Sequence, residues 1–322
     1  MNERPAWPRR VVCVALNAAI DKTAAIERLE PGAIHRPTLL ATLPGGKAVN
    51  VARAVKRLGL PATVVAVVGG HAGEWFAAEL DARDIPARLV RVVGETRTCL
   101  SVLDQTTGEL TEFYEPGVEL PTHAWSDVET ALEAAVGDEA DRPLVVLAGS
   151  LPRGAPTDAY ARLASRMTAA KAEVVVDVGG EPLELALAAS PWLVKVNARE
   201  AAETTGIPTD DLGGVLLAAK RLREAGARQA VVTRGVDGAV FVGDDAWALG
   251  PPPEVGRYTV GSGDVLLAGF AVALGRGDDL PDALRYAAAA AAANALTPGQ
   301  GELDPDDLAR LLPRCSVERL DR

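Results

Sequence analysis

Short runs that are apolar at nearly every position recur along the chain, at residues 11–16, 63–68, 144–148, 173–177, 193–196 and 230–233. A run without polar alternation suits a strand covered on both faces, as in a parallel sheet. Between these runs, residues 49–58, 74–81, 160–170, 182–189, 198–205 and 212–225 carry the apolar spacing of helices. Strand and helix alternate often enough to predict an α/β fold, a doubly wound and mostly parallel sheet with helices on both faces. Residues 265–274 and the alanine tract 287–293 add packed helices near the C-terminus.

Two stretches, residues 22–43 and 98–115, break the alternation. Both read as extended chain, and in the second, residues 99–103 and 110–114 flank the turn-like Thr106-Thr107-Gly108. Being far apart yet alike, they predict a small second β-sheet, a lid inserted in a single domain of residues 1–322. Edge hairpins are the other reading. Small isolated sheets are marginal in water, so the lid's outer face is expected to pair with a second subunit in a homodimer.

The chain has 322 residues, 48% of them apolar and 24% charged, an ordinary soluble composition. A net charge of −11 with only 4% aromatic residues offers neither a phosphate-backbone footprint nor a base-stacking platform, so no nucleic acid is expected as a partner. Arg9 and Arg10 ahead of an apolar run look like a signal peptide, but Asn17 and Asp21 interrupt it too early. No run reaches the ~18 apolar residues of a membrane span, so no membrane partner is expected either. Cys13, Cys99 and Cys315 show no C-x-x-C spacing, and His35, His71 and His123 are isolated. That pattern disfavours a disulfide framework, a zinc site and histidine catalysis, and it fits a reducing cytoplasm.

The candidate chemistry sits beside glycines and strand ends. Gly261-Ser262-Gly263-Asp264 precedes the 265–274 helix, where backbone N–H groups and the helix dipole favour an anion. Asp264 in the first turn would then stand where a carboxylate takes a proton from an attacking hydroxyl; a plain glycine turn is the alternative. Gly45-Gly46-Lys47-Ala48-Val49-Asn50 opens another helix and permits close backbone approach, though it is not a Walker A loop. Asn17–Asp21, Gly149-Ser150-Leu151-Pro152 and Thr233–Gly238 all follow strand ends, where parallel sheets bind ligands. Asn197 and Glu200 do too, although Asn with Glu three residues on is also a capping box.

Taken in order, these motifs resemble the PfkB (ribokinase-like) carbohydrate kinases. The resemblance runs from N-x-A-x-D at 17–21 through GGKAVNVARAVKRLG at 45–59, TR at 96–97, GSLPRG at 149–154 and LVKVNAREA at 193–201 to TVGSGD at 259–264. Within the family these forms look most like the hexose-phosphate kinases, the group of 1-phosphofructokinase and tagatose-6-phosphate kinase. The resemblance implies ATP as donor, Mg²⁺ as metal, a sugar phosphate as acceptor and a lid closing over the sugar. It implies Asp264 as catalytic base with Gly261 and Gly263 beside it, and Asp21, Gly45, Gly46, Lys47, Asn50 and Ser150 at the sugar. Arg97 and Arg36 match basic positions that would hold the acceptor's own phosphate. Lys195 and Asn197 would face the nucleotide phosphates, Glu200 the metal through water, and Thr233, Gly235, Gly238 and Ser262 the nucleotide.

The chain departs from the family pattern at Ala18, Ala48, Val178-Gly179, Val196 and Ser262. At Ala48, where glycine is usual, a methyl group would crowd the sugar if the backbone there needed a positive φ. A kinase of free sugars or nucleosides, or a catalytically weak sugar-phosphate-binding protein, are the competing functions.

Overall fold

In the computed structural model, which describes Trp7 and residues 9–137 and 143–320, the apolar runs form the middle of one ten-stranded sheet. The first half of the chain runs β1 (Val11–Ala15), β2 (Ala19–Ile26), β3 (Thr38–Gly45), α1 (Lys47–Arg57), β4 (Ala62–Gly69), α2 (Gly70–Asp81), β5 (Ala87–Val92), β6 (Arg97–Asp104), β7 (Leu110–Tyr114) and α3 (Trp125–Val136). It continues with β8 (Leu144–Ala148), α4 (Ala159–Ala169), β9 (Glu173–Asp177), α5 (Glu181–Leu187), β10 (Leu193–Asn197), α6 (Ala198–Thr205), α7 (Leu212–Glu224) and β11 (Gln229–Thr233). The last part holds β12 (Ala239–Val242), β13 (Ala246–Leu249), α8 (Ser262–Arg276), α9 (Leu280–Leu296), α10 (Pro305–Leu311) and β14 (Val317–Leu320).

The main sheet is ordered β14-β13-β12-β11-β10-β9-β8-β1-β4-β5, parallel from β11 to β5 and antiparallel from β11 to β14. Successive side chains of a strand point to opposite faces, and β1 shows the result. Val11, Cys13 and Ala15 join a core beneath α1, α2, α8, α9 and α10, while Val12 and Val14 join a second core beneath α3 to α7. Both faces being covered is why the central strands read as continuous apolar runs.

The two extended stretches do form a separate sheet, ordered β3-β2-β6-β7. Its centre is a parallel pairing of β2 with β6, from Ala19 opposite Arg97 to Ile26 opposite Asp104. The turn between β6 and β7 is fixed by Asp104, whose carboxylate accepts from the Thr106 and Thr107 amides at 2.8 and 3.0 Å. The strands start earlier than the sequence pattern placed them. β2 begins at Ala19, so Asp21 belongs to the lid and not to a loop after β1, and residues 27–37 form a loop.

Candidate active site

A cavity of about 600 Å³ lies between the carboxyl ends of the main sheet and the lid. Asp264 forms its floor. Helix α8 follows Gly261, whose φ of 85° turns the chain sharply and where a Cβ would fall 2.7 Å from the Gly301 amide nitrogen. The Ser262, Asp264 and Val265 amides bond to backbone carbonyls at 3.2, 3.0 and 3.0 Å. The Gly263 amide makes no such bond among the described residues. Asp264 is 5% exposed, and its carboxylate accepts a 3.0 Å hydrogen bond from the Asn50 amide. Burial, with the Asp177 carboxylate nearby, raises its pKa to about 6, against the pull of Lys195, Lys47 and Asn50. A carboxylate poised near the working pH is what a general base needs.

Charge is organised around Asp177, at the end of β9 and fully buried. Its two oxygens accept from Lys47 at 3.0 Å and from Lys195. Burial alone would raise its pKa, but the two ammonium groups hold it down to about 2. Lys47 is raised in turn, by Asp177 first and by Glu200, 3.6 Å away. Glu200 and Asn197 form the capping box of α6, the Glu200 amide donating to Asn197 at 2.8 Å and the Asn197 amide to Glu200 at 2.9 Å. The same two residues line the cavity, so the structural and the cleft-facing readings hold together.

The opposite wall comes from the lid and the loop after β1. Asp21 is buried in β2 and accepts from the Gly46 amide at 3.2 Å; burial raises its pKa against that bond and against Arg53 and Arg97. Gly45 stands behind it, since a Cβ there would lie 2.1 Å from the Asp21 carboxyl carbon. Ser150 accepts a 3.0 Å bond from the Asn17 amide. Arg97 donates to the Asn17 carbonyl at 3.2 Å, while its buried Nε has no partner. Arg36 is not brought in: it stands exposed in the loop before β3, outside the cavity lining.

A second, more apolar cavity of about 420 Å³ adjoins the first and shares Asn197, Thr233 and Gly263 with it. Gly235, Gly238 and Ser262 line it, with Val236, Pro252, Val255 and Leu266 as its greasy wall. The Ser262 hydroxyl donates to Asn294 at 3.0 Å.

Ala48 is relieved of the expected crowding. It sits in the first turn of α1, fully buried in the core, and the positive φ of 94° falls on Gly46 instead. Ala18 and Val196 are core residues as well, whereas Val178 and Gly179 line the first cavity. Lining or supporting residues that escaped the sequence pattern include Asp177 and Tyr160, Cys99 and Tyr114 from the lid, Gln300 from the loop after α9, and the buried Arg53. Only the Gly299-Gln300-Gly301 spacing carried a signal, the glycine pair of a tight approach.

The pfkB family carbohydrate kinase model matches residues 9–307. The chain is 36% identical over 310 residues to the 1-phosphofructokinase of Xanthomonas campestris pv. campestris, covering 94% of each. It is 30% identical over 313 residues to that of Bacillus subtilis, covering 96% of this chain and 100% of the relative. Phosphofructokinase-2 from Escherichia coli, in complex with substrates and products, superposes with a TM-score of 0.87 at 28% identity, over 95% of this chain and 99% of that one. Fold, lid and motif positions agree with that extent of similarity, from β1 into α10, and the chain belongs to the pfkB family of carbohydrate kinases.

Proposed function

We propose that the chain transfers the γ-phosphoryl group of ATP to a hydroxyl of a hexose phosphate, as a 1-phosphofructokinase or a tagatose-6-phosphate kinase does. The observation that carries the reading is Asp264, a buried carboxylate with its pKa raised to about 6, held by Asn50 beside the glycine where two cavities meet. In this reading the acceptor's hydroxyl gives its proton to Asp264 as its oxygen bonds to the γ-phosphorus, while the bond from that phosphorus to the bridging oxygen breaks and ADP leaves with the electron pair. The Gly263 amide, with Lys195 and Lys47, favours the charge that develops. Asp21 and Ser150 orient the sugar, and the guanidinium of Arg97, which lines the cavity, suits the acceptor's own phosphate. The two relatives named as 1-phosphofructokinases support the acceptor class.

The lining also fits the donor. The apolar cavity suits a heteroaromatic base, and a Cβ at Gly263 would come within 3.0 Å of the Lys195 nitrogen, filling space a phosphate would need. Magnesium fits as an ion carried on the phosphates, since it keeps most of its waters and takes one or two carboxylates. Glu200, which lines the cavity, would face the ion through one of these waters, and Asp177 is committed to its lysines. When bound, the ion neutralises phosphate charge. The exposed lid side chains Ile34, Leu39 and Phe113 support a homodimer through the lid, and three buried free cysteines suit a cytoplasmic protein.

The test is coupled ADP release over fructose 1-phosphate, fructose 6-phosphate, tagatose 6-phosphate, fructose and adenosine. Turnover with one phosphorylated hexose far above the others is expected. Equal turnover of fructose and its phosphates would replace the reading with a free-sugar kinase, and no turnover with any acceptor would leave a binding protein.

A further inference from the structure

The geometry points to Arg53 as a positioning residue that ties the lid and the loop after α9 to the catalytic base, acting through Asn50. Arg53 lies three residues after Asn50 on α1, so the two side chains share a face of the helix. It is 4% exposed, and a charge so deeply placed persists only if it is paired and hydrogen-bonded. The structure satisfies it from three elements. One terminal nitrogen donates to the Pro44 carbonyl in β3 at 2.8 Å and to Asn50 Oδ1 at 3.2 Å. The other donates to the Gln300 carbonyl at 2.5 Å and to Glu302 at 2.8 Å, and Nε reaches Glu302 at 3.2 Å.

The consequence lies at Asn50. An amide side chain has one accepting end and one donating end, and its neighbours decide which way it faces. Here the guanidinium claims Oδ1, which leaves Nδ2 to donate to Asp264 at 3.0 Å. A flipped amide would set its oxygen against the carboxylate and its NH₂ against the arginine. The same fork grips the lid strand just before Gly45 and the loop whose Gly301 packs on Asn50, where a Cβ would lie 2.8 Å from the asparagine Cβ. Lysine keeps the charge but is a single point with three donors and cannot hold this planar set.

Arg53→Lys, Asn50→Ala and the double variant test this with two readouts. The kinetic one rests on the reading of Asp264 as base. Each single variant is expected to lower kcat about tenfold or more, with the KM for ATP within about twofold, as for one lost charge-assisted bond. The double variant should be no slower than Asn50→Ala alone; multiplied losses would overturn the inference. The second readout needs no activity. Hydrogen exchange in Arg53→Lys should quicken about tenfold at residues 38–45 and 298–302 but not at 144–148 in the core. Unchanged exchange at the first two, or quickening at all three, would overturn it. Absence of turnover in the wild type would count against the proposed function alone, and exchange would then decide.

Discussion

Replacing Asp177 by Asn removes one negative charge from the point where two ammonium groups converge. The carboxylate is fully buried, and both its oxygens are engaged, one by Lys195 and one by Lys47 at 3.0 Å. In the variant Lys47 keeps Glu200 at 3.6 Å, but Lys195, itself buried, loses its carboxylate. Breaking a buried pair by removing one partner costs about 3–5 kcal/mol. With about 2.1 cal/mol/K of unfolding entropy per residue, a chain of 322 residues loses roughly 1.5 °C per kcal/mol, so the expected fall in Tm is about 4–7 °C. The loss has a pH signature. Asp177 is held down to about 2, so its contribution is full above the ordinary carboxylate range and disappears as pH falls toward that value. Catalysis should move as well. Asp177 is among the groups that raise Asp264, so without it the base ionises at lower pH and the acid limb of kcat/KM shifts down from about 6. Thermal melting around neutral pH and in acid, with kcat/KM measured from about pH 5 to 8, checks both. An unchanged Tm together with an unmoved acid limb would refute the reasoning.

Three further outcomes follow from the same geometry. Arg97→Ala should raise the KM for the phosphorylated sugar by the equivalent of a charge-assisted hydrogen bond, ~1.5–3 kcal/mol, and leave the KM for ATP nearly unchanged. Arg36→Ala should leave the KM for the phosphorylated sugar unchanged, because that side chain stands exposed outside the cavity; a rise like that of the Arg97 variant in steady-state kinetics would contradict this. Gly261→Ala forces a methyl to within 2.7 Å of the Gly301 amide at a φ of 85°, so it should lower both kcat and the melting temperature; a variant with wild-type values would show that the turn tolerates a side chain. Light scattering at micromolar concentration should give twice the chain mass of 33.5 kDa, and a strict monomer would remove the lid-to-lid dimer.

The parts of the fold legible in the sequence are those that packing makes redundant. β1, β4 and β8 to β11 are buried on both faces, so their composition alone announced them. β12 and β13 are apolar but only four residues long and lie in the antiparallel edge, with no helix between them to set the alternation. β14 and β5 carry charged residues within the strand, so these elements escaped the pattern. The glycine motifs led to the cleft because close backbone approach leaves a local mark, as at Gly46 and Gly261. The Arg53 network leaves no such mark, since Pro44, Asn50, Gln300 and Glu302 meet only after the lid and the C-terminal loop have folded against α1. Asp177 looked like a strand's last residue, and only the parallel register of β9 beside β10 sets it against Lys195.

If Asp264 is the base of a phosphoryl transfer, turnover of Asp264→Asn on the preferred hexose phosphate will reveal it. The amide keeps the size of the side chain and an oxygen to accept from Asn50, so substrate binding should survive. It cannot take a proton, so kcat should fall by about 10²–10⁴ with both KM values within a few-fold. A kcat near that of the wild type would contradict the account.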